Sequence, residues 1–407
     1  MFLDAPPADM DPTATCRHFL SLAGPDSWSR RMADIAERAR PRSWSGRAAQ
    51  QRHALELLLA RLADPRESAG PSAALSPAER RILALVREAL DLADTLPRDS
   101  RERLRQRLLE GLTGEGTLIP LFHLLREAAR QRARGFSVAF TGLAEGTPHD
   151  LLLSREGESA ELVCETVSAE EGRQLHRGDW FALVDGINPD LQTWLAAHPG
   201  RYVLKMTLPE GISGPQELAE LQRRVSALLA DHRRQDSSAS AVLKLDPLVL
   251  AGAQMSGAAL PQHLRSLFGP DAHLAVAAAP GGNSMFVMAA RAGRENGVAA
   301  AITARLEQAA ARRLSGTRPG IVSVFLEDIE RAEWRSLRET LELEGTVRRF
   351  FTTPGAQRII AASCVTRMEF FGIPAPDGAA EGELRFRNQL HPQARSSGLH
   401  AAIASTV

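Results

Sequence analysis

The stretch from Pro148 to Ser168 constrains the fold more than any other part of the chain. His149-Asp150-Leu151-Leu152-Leu153 turns through Glu156-Gly157-Glu158 into Glu161-Leu162-Val163-Cys164-Glu165-Thr166-Val167-Ser168. Two β-rich runs joined by a short glycine-containing turn read as a hairpin. Strand side chains alternate between faces, so Glu161, Val163 and Glu165 share one face while Leu162, Cys164 and Thr166 take the other. With Asp150 at the mouth, the acids of that face form a set of carboxylates able to converge. Clustered hard oxygens suit Mg or Mn, and a metal so held can activate water against a phosphodiester.

The flanking pattern extends the unit. Leu118 to Arg134 reads as an amphipathic helix ending at Gly135, a good C-cap, and Phe136 to Phe140 follows at strand period. Strands over 149–154 and 160–168, a helix over about 170–197 and a strand over 201–208 complete the order helix, three strands, helix, strand. That αβββαβ order and the acid hairpin together resemble the PD-(D/E)xK nuclease-like superfamily, whose core carries an aspartate on one strand, Glu-x-Lys on the next and a further acid on the leading helix. The resemblance covers roughly residues 116 to 210. It implies Asp150 and Glu165 as catalytic residues and metal ligands, with Glu161 and the helix acid Glu127 as further ligands.

The lysine of the motif is absent in either alignment. With Val163-Cys164-Glu165 in the slot, both the acid and the lysine are replaced; with Glu165-Thr166-Val167, the acid survives and Val167 stands for the lysine. The chain has only two lysines, Lys205 and Lys244, and Lys205, on the strand after the hairpin, is the candidate for a migrated catalytic lysine. Just beyond the hairpin, Arg173, Gln174, His176 and Arg177 open the next helix. There the helix dipole and the forked guanidinium could bind substrate phosphate, although a mixed-charge surface turn has the same composition.

The expected fold class is α/β: a mixed sheet with an αβββαβ nuclease-like core over 116–214, preceded by a helical region over 1–115 and followed by a further α/β extension over 215–375. Residues 376–407 read as a loosely ordered tail. In the helical region, one helix runs from near Gly46 to Ala63 and another opens at the capping box Ser76-Pro77-Ala78-Glu79. Asp99 to Leu112 carries alternating arginines, as either a solvated face or a phosphate-facing patch. Ala69 to Ala74 reads as a linker, and Ala279 to Ser284 as a hairpin turn.

Composition narrows the function. Net charge is zero with 24% charged residues, so anionic partners must be drawn by a local patch. Cys16, Cys164 and Cys364 are widely spaced, with no CxxC, which suits a reducing cytosol. No Gly-x-Ser-x-Gly elbow, phosphate loop or His-Glu-x-x-His occurs. No segment approaches the roughly 18 apolar residues of a membrane span, and the start lacks a signal-peptide pattern, so a cytoplasmic protein with no membrane partner is expected. The leading expectation is a catalytically impaired nuclease-like protein that associates with DNA, RNA or another phosphate-bearing ligand. Two alternatives stand beside it: an active Mg- or Mn-dependent nuclease with a non-standard site, and a non-catalytic module with a protein partner, for instance in a defence or toxin-related system.

Overall fold

The computed structural model describes residues 11–39, 43–65, 75–212, 214–249, 259–269, 271–278, 284–294, 296–371 and 383–406. It is a mixed α/β protein with two mixed sheets. The chain divides into two compact units: residues 1–37, 50–169 and 299–407 form the first, and residues 38–49 and 170–298 the second.

The sheet of the first unit has the order β1 (Ser137–Ala139), β2 (Leu151–Arg155), β3 (Glu158–Ser168), β9 (Gly320–Glu327), β10 (Ile359–Thr366), β11 (Leu384–Arg387). The first three strands form an antiparallel meander, β3, β9 and β10 run parallel, and β11 returns antiparallel along β10. β9 and β10 are apolar almost throughout and buried along their length, as parallel strands covered on both faces must be. The hairpin turns at Glu156 and Gly157, both at positive φ. The Ile119–Ala133 helix lies against β3 and β9 and ends at Gly135, φ +86°. Its apolar residues join those of the N-terminal helices in one core with Leu151, Leu153, Ala160 and Leu162 from the hairpin.

The second unit has the order β5 (Gln235–Ser237), β6 (Val242–Pro247), β4 (Arg201–Leu208), β8 (Met285–Ala292), β7 (His273–Ala278), with only β4 and β8 parallel. The Arg177–Ala197 and Pro215–Ala230 helices pack together against Leu204, Met206, Phe286 and Met288. Val203 and Val287, on alternate positions, meet Leu264 of the Ala259–Phe268 helix.

The order of elements from 119 to 208 matches the sequence reading, but the pairing does not. β4 hydrogen-bonds to β6 and β8, and the place beside β3 goes to β9. Domain boundaries therefore fall near 169 and 298, not at 214. Within the first unit the order helix, three strands, helix, strand is completed by Val298–Arg313 and β9, with the second unit spliced into the sequence between β3 and that helix. Period-two alternation locates a strand but does not name its partner, so a non-local pairing across more than 150 residues left no mark in the pattern.

Other differences are local. The helix expected over Gly46 to Ala63 breaks at His53 into Trp44–Arg52 and Ala54–Ala63. Within the expected α/β extension, Leu341, φ +57°, separates the helices Arg331–Glu339 and Glu342–Phe351. The expected loose tail is ordered over 383–406, where β11 completes the sheet edge and Arg385 binds the carbonyls of Ala401, Ala402 and Ala404. The expected linker at 69–74 and most of the expected turn at 279–284 lie outside the described residues. The capping box stands as read: Ser76 Oγ accepts from Glu79 N, and Glu79 accepts from Ser76 N.

Candidate functional site

Asp150 is set in place by backbone. Its N–H donates to Leu162 O (3.0 Å), and its own carbonyl accepts from Gly142 N (3.1 Å) of the one-turn Thr141–Ala144 helix. A Cβ at Gly142 would stand 2.8 Å from His149 O, so only glycine permits this approach. β2 begins one residue later, and the N–H of Cys164 on β3 is satisfied by the Asp150 carboxylate: Oδ2 accepts it at 2.8 Å. Continuing the Leu151–Leu162 pairing by one step sets Asp150 beside Val163.

The carboxylates of Asp150 and Glu165 are joined by one guanidinium. Arg313, the last residue of the Val298–Arg313 helix, donates Nη2 to Asp150 Oδ2 (2.8 Å) and Nη1 to Glu165 Oε1 (2.9 Å). It also donates to Pro148 O (Nε, 3.0 Å) and Cys164 O (Nη1, 3.1 Å). Two further arginines approach: Arg107 Nη2 donates to Asp150 Oδ1 (2.6 Å), and Arg305 Nη1 lies 3.6 Å from Glu165 Oε2. Asp150 is fully buried at its side chain, whereas Arg107, Arg305 and Arg313 are 32%, 30% and 27% exposed. Burial alone would lower the Arg313 pKa; Asp150 and Glu165 hold it above its ordinary value. Burial pushes the Cys164 thiol well up, and Asp150 and Glu127 add to that, so it is no nucleophile.

The other expected ligands are engaged elsewhere. Glu161 shares the face of Glu165 but is buried beneath Ser315, whose N–H and Oγ donate to its two oxygens. Glu127 lies buried on the Ile119–Ala133 helix and accepts from Arg126 Nη1 (2.6 Å). Burial opposes its ionisation, but Arg126, Arg130, His123 and Arg134 outweigh that and bring its pKa down to about 2. Lys205 lies on β4 of the second sheet, half-exposed, with Nζ donating to Asp246 Oδ2 (3.0 Å); it belongs to a different sheet from Asp150 and Glu165. Arg173, Gln174, His176 and Arg177 also belong to the second unit. The helix there begins only at Arg177, with His176 as its N-cap. Arg173 is buried and bonded to Glu170, and the N–H of Arg177 donates to the same carboxylate (2.8 Å). Glu170 thus takes the helix N-terminal position expected for a substrate phosphate.

The donor set does not suit Mg or Mn. Both Asp150 oxygens already carry N–H donors, a cation stands between the two carboxylates, and the residue beside Asp150 is Val163. Among the described residues, no group of three or more His, Cys, Asp or Glu side chains is arranged to hold a metal ion. The arginines that complete the site were not singled out from sequence. Arg305 and Arg313, eight apart and so on one helix face, are the available signal; Arg107 lies in the helix whose arginines read as either a solvated face or a phosphate-facing patch. Among the described residues, no helix is long and apolar enough to cross a membrane. Comparison with protein-family models, with curated proteins and with solved structures found no match.

Proposed function

We propose that the first unit is a nuclease-like core that has exchanged its metal for arginine, and that it binds a phosphate-bearing ligand, nucleic acid in the first instance, without cleaving it. The observation that carries this reading is the Arg313 guanidinium bridging Asp150 and Glu165. The αβββαβ order within one unit supports the nuclease-like assignment. With Val163 beside Asp150, Val163-Cys164-Glu165 takes the Glu-x-Lys slot, so a carboxylate stands where the ammonium would be and an arginine salt bridge replaces the metal. With the carboxylate oxygens engaged by guanidinium groups and a backbone N–H, and Glu165 in the lysine's slot, this arrangement does not supply the metal-activated water or the ammonium that hydrolysis of a phosphodiester uses.

Three guanidinium groups, those of Arg107, Arg305 and Arg313, gather about the two carboxylates. Their partly exposed N–H groups offer the forked donors that phosphate oxygens accept. The test is fluorescence anisotropy with labelled single- and double-stranded DNA and RNA across a salt series, paired with a cleavage assay in Mg²⁺ and Mn²⁺. The reading expects intact oligonucleotide, affinity that falls steeply with salt, and weaker binding by Arg305→Gln. Cleavage abolished by Asp150→Ala would establish an active nuclease instead. Absence of binding at low salt would leave the interaction-module reading in its place.

A further inference from the structure

A cavity of about 160 Å³ opens among the N-terminal helices of the first unit. Its walls are Phe19, Ala89, Ala93, Leu104, Leu108 and Leu121, all buried. The space has a local cause. Ala89 and Ala93 stand one turn apart on the Pro77–Thr95 helix, and two methyl groups cannot fill the gap before the Arg98–Gly111 helix. An apolar cavity of this size accepts a benzene-sized body.

The rim has the opposite character. Arg98, Arg101, Glu102 and Arg105 line it and are exposed. Glu102 is paired with Arg105 (3.0 Å), which leaves the charges of Arg98 and Arg101 uncompensated within the rim. Arg101 Nη2 donates only to the carbonyl of Leu96 (3.3 Å), and Arg98 has no hydrogen-bond or ion-pair partner among the described residues. An apolar floor the size of one ring beneath two uncompensated guanidinium groups matches one ligand chemistry. We propose that this cavity binds a small carboxylate whose apolar body is an aryl ring, the ring among Phe19, Ala93 and Leu108 and the carboxylate at Arg98 and Arg101. The assignment stands independently of the nuclease-like reading.

The probe is 3-phenylpropanoate, titrated calorimetrically into the full chain at low salt beside 3-phenylpropan-1-ol, which keeps the ring and loses the charge. Binding with a Kd on the order of 0.1–1 mM is expected for a ligand of this size. The alcohol should bind roughly tenfold more weakly, as loss of a charge-assisted contact implies. Ala93→Leu, which fills the floor, should abolish binding, and the exposed double variant Arg98→Gln with Arg101→Gln should bring the acid down to the affinity of the alcohol. If Ala93→Leu does not fold, the double variant decides alone. No heat with 3-phenylpropanoate, equal affinity for the alcohol, or affinity unmoved by the double variant would overturn the proposal.

Discussion

Arg313 donates to both Asp150 and Glu165, and its positive charge lets the two carboxylates share one guanidinium. Asp150 is buried, so removing the bridge leaves a charge in low dielectric with Arg107 as its remaining cation. Arg313→Gln should therefore lower stability by about 2–4 kcal/mol, read as a shift in urea midpoint; an unchanged midpoint would mean that the bridge is incidental. Gly142→Ala places a methyl group 2.8 Å from His149 O and should cost about 1–3 kcal/mol, with a corresponding fall in Tm. Glu327, at the end of β9, behaves differently. Burial pushes its pKa up to about 7 and Asp328 and Glu56 add to that, against the hydrogen bond from Thr117 and the charge of Arg52. Between about 4.5 and 7 the folded chain then holds a proton that the unfolded chain has released, so this contribution is lost as pH rises through that window. Glu327→Gln should raise Tm at pH 8, equivalent to about 2 kcal/mol once partial exposure is discounted, and change it little at pH 5. Equal effects at both pH values would refute the assignment. At this scale the acids were legible, because period-two spacing fixes the face of a strand residue. Their arginine partners were not, because Arg107 and Arg313 lie 43 and 163 residues from Asp150, and only folding brings them together.

The strands expected between 136 and 208 lie within two residues of where local alternation places them. β4 coincides with expectation, and the hairpin strands differ by one or two positions. Pairing was not readable. Both β4 and β9 look like apolar strands following a helix, and the choice of which one lies beside β3 is made by the sheet as a whole. β5 is three polar residues and β11 only the four residues Leu384–Arg387, so neither presents a hydrophobic run long enough to announce a strand. In the second unit, His273 on β7 packs against Trp180 of the Arg177–Ala197 helix (ring centroids 6.0 Å). Burial first, then Arg173, Arg177 and Arg265, bring its pKa down to about 3. A histidine kept neutral when folded takes up a proton on unfolding below about 6.5, so its contribution is present above that pH and is lost as pH falls toward 3. Hydrogen exchange of β7 and β8 should accelerate between pH 6.5 and 4.5, after correction for intrinsic rates, and His273→Gln should flatten that dependence. A wild-type profile as flat as the variant's would contradict it.

For the whole molecule, the second unit is a contiguous excursion from the first apart from residues 38–49. Its ends meet within it: Gly297 N donates to Gly172 O (2.6 Å), and a Cβ on Gly172 would stand 2.5 Å from Val298 N. Joining Gly172 directly to Gly297 should therefore yield a chain whose first unit keeps its helices and sheet, unfolding in one cooperative transition by circular dichroism; a disordered product would show that the first unit depends on the excised segment. Arg313 fills the space between Asp150 and Glu165, so no divalent cation should bind there. Mn²⁺ titration followed by electron paramagnetic resonance tests it most directly, using the intact chain beside Asp150→Ala. Identical curves for the two proteins, with no stoichiometric tight site, are the predicted result. One bound Mn²⁺ per chain, lost on Asp150→Ala, would contradict the account.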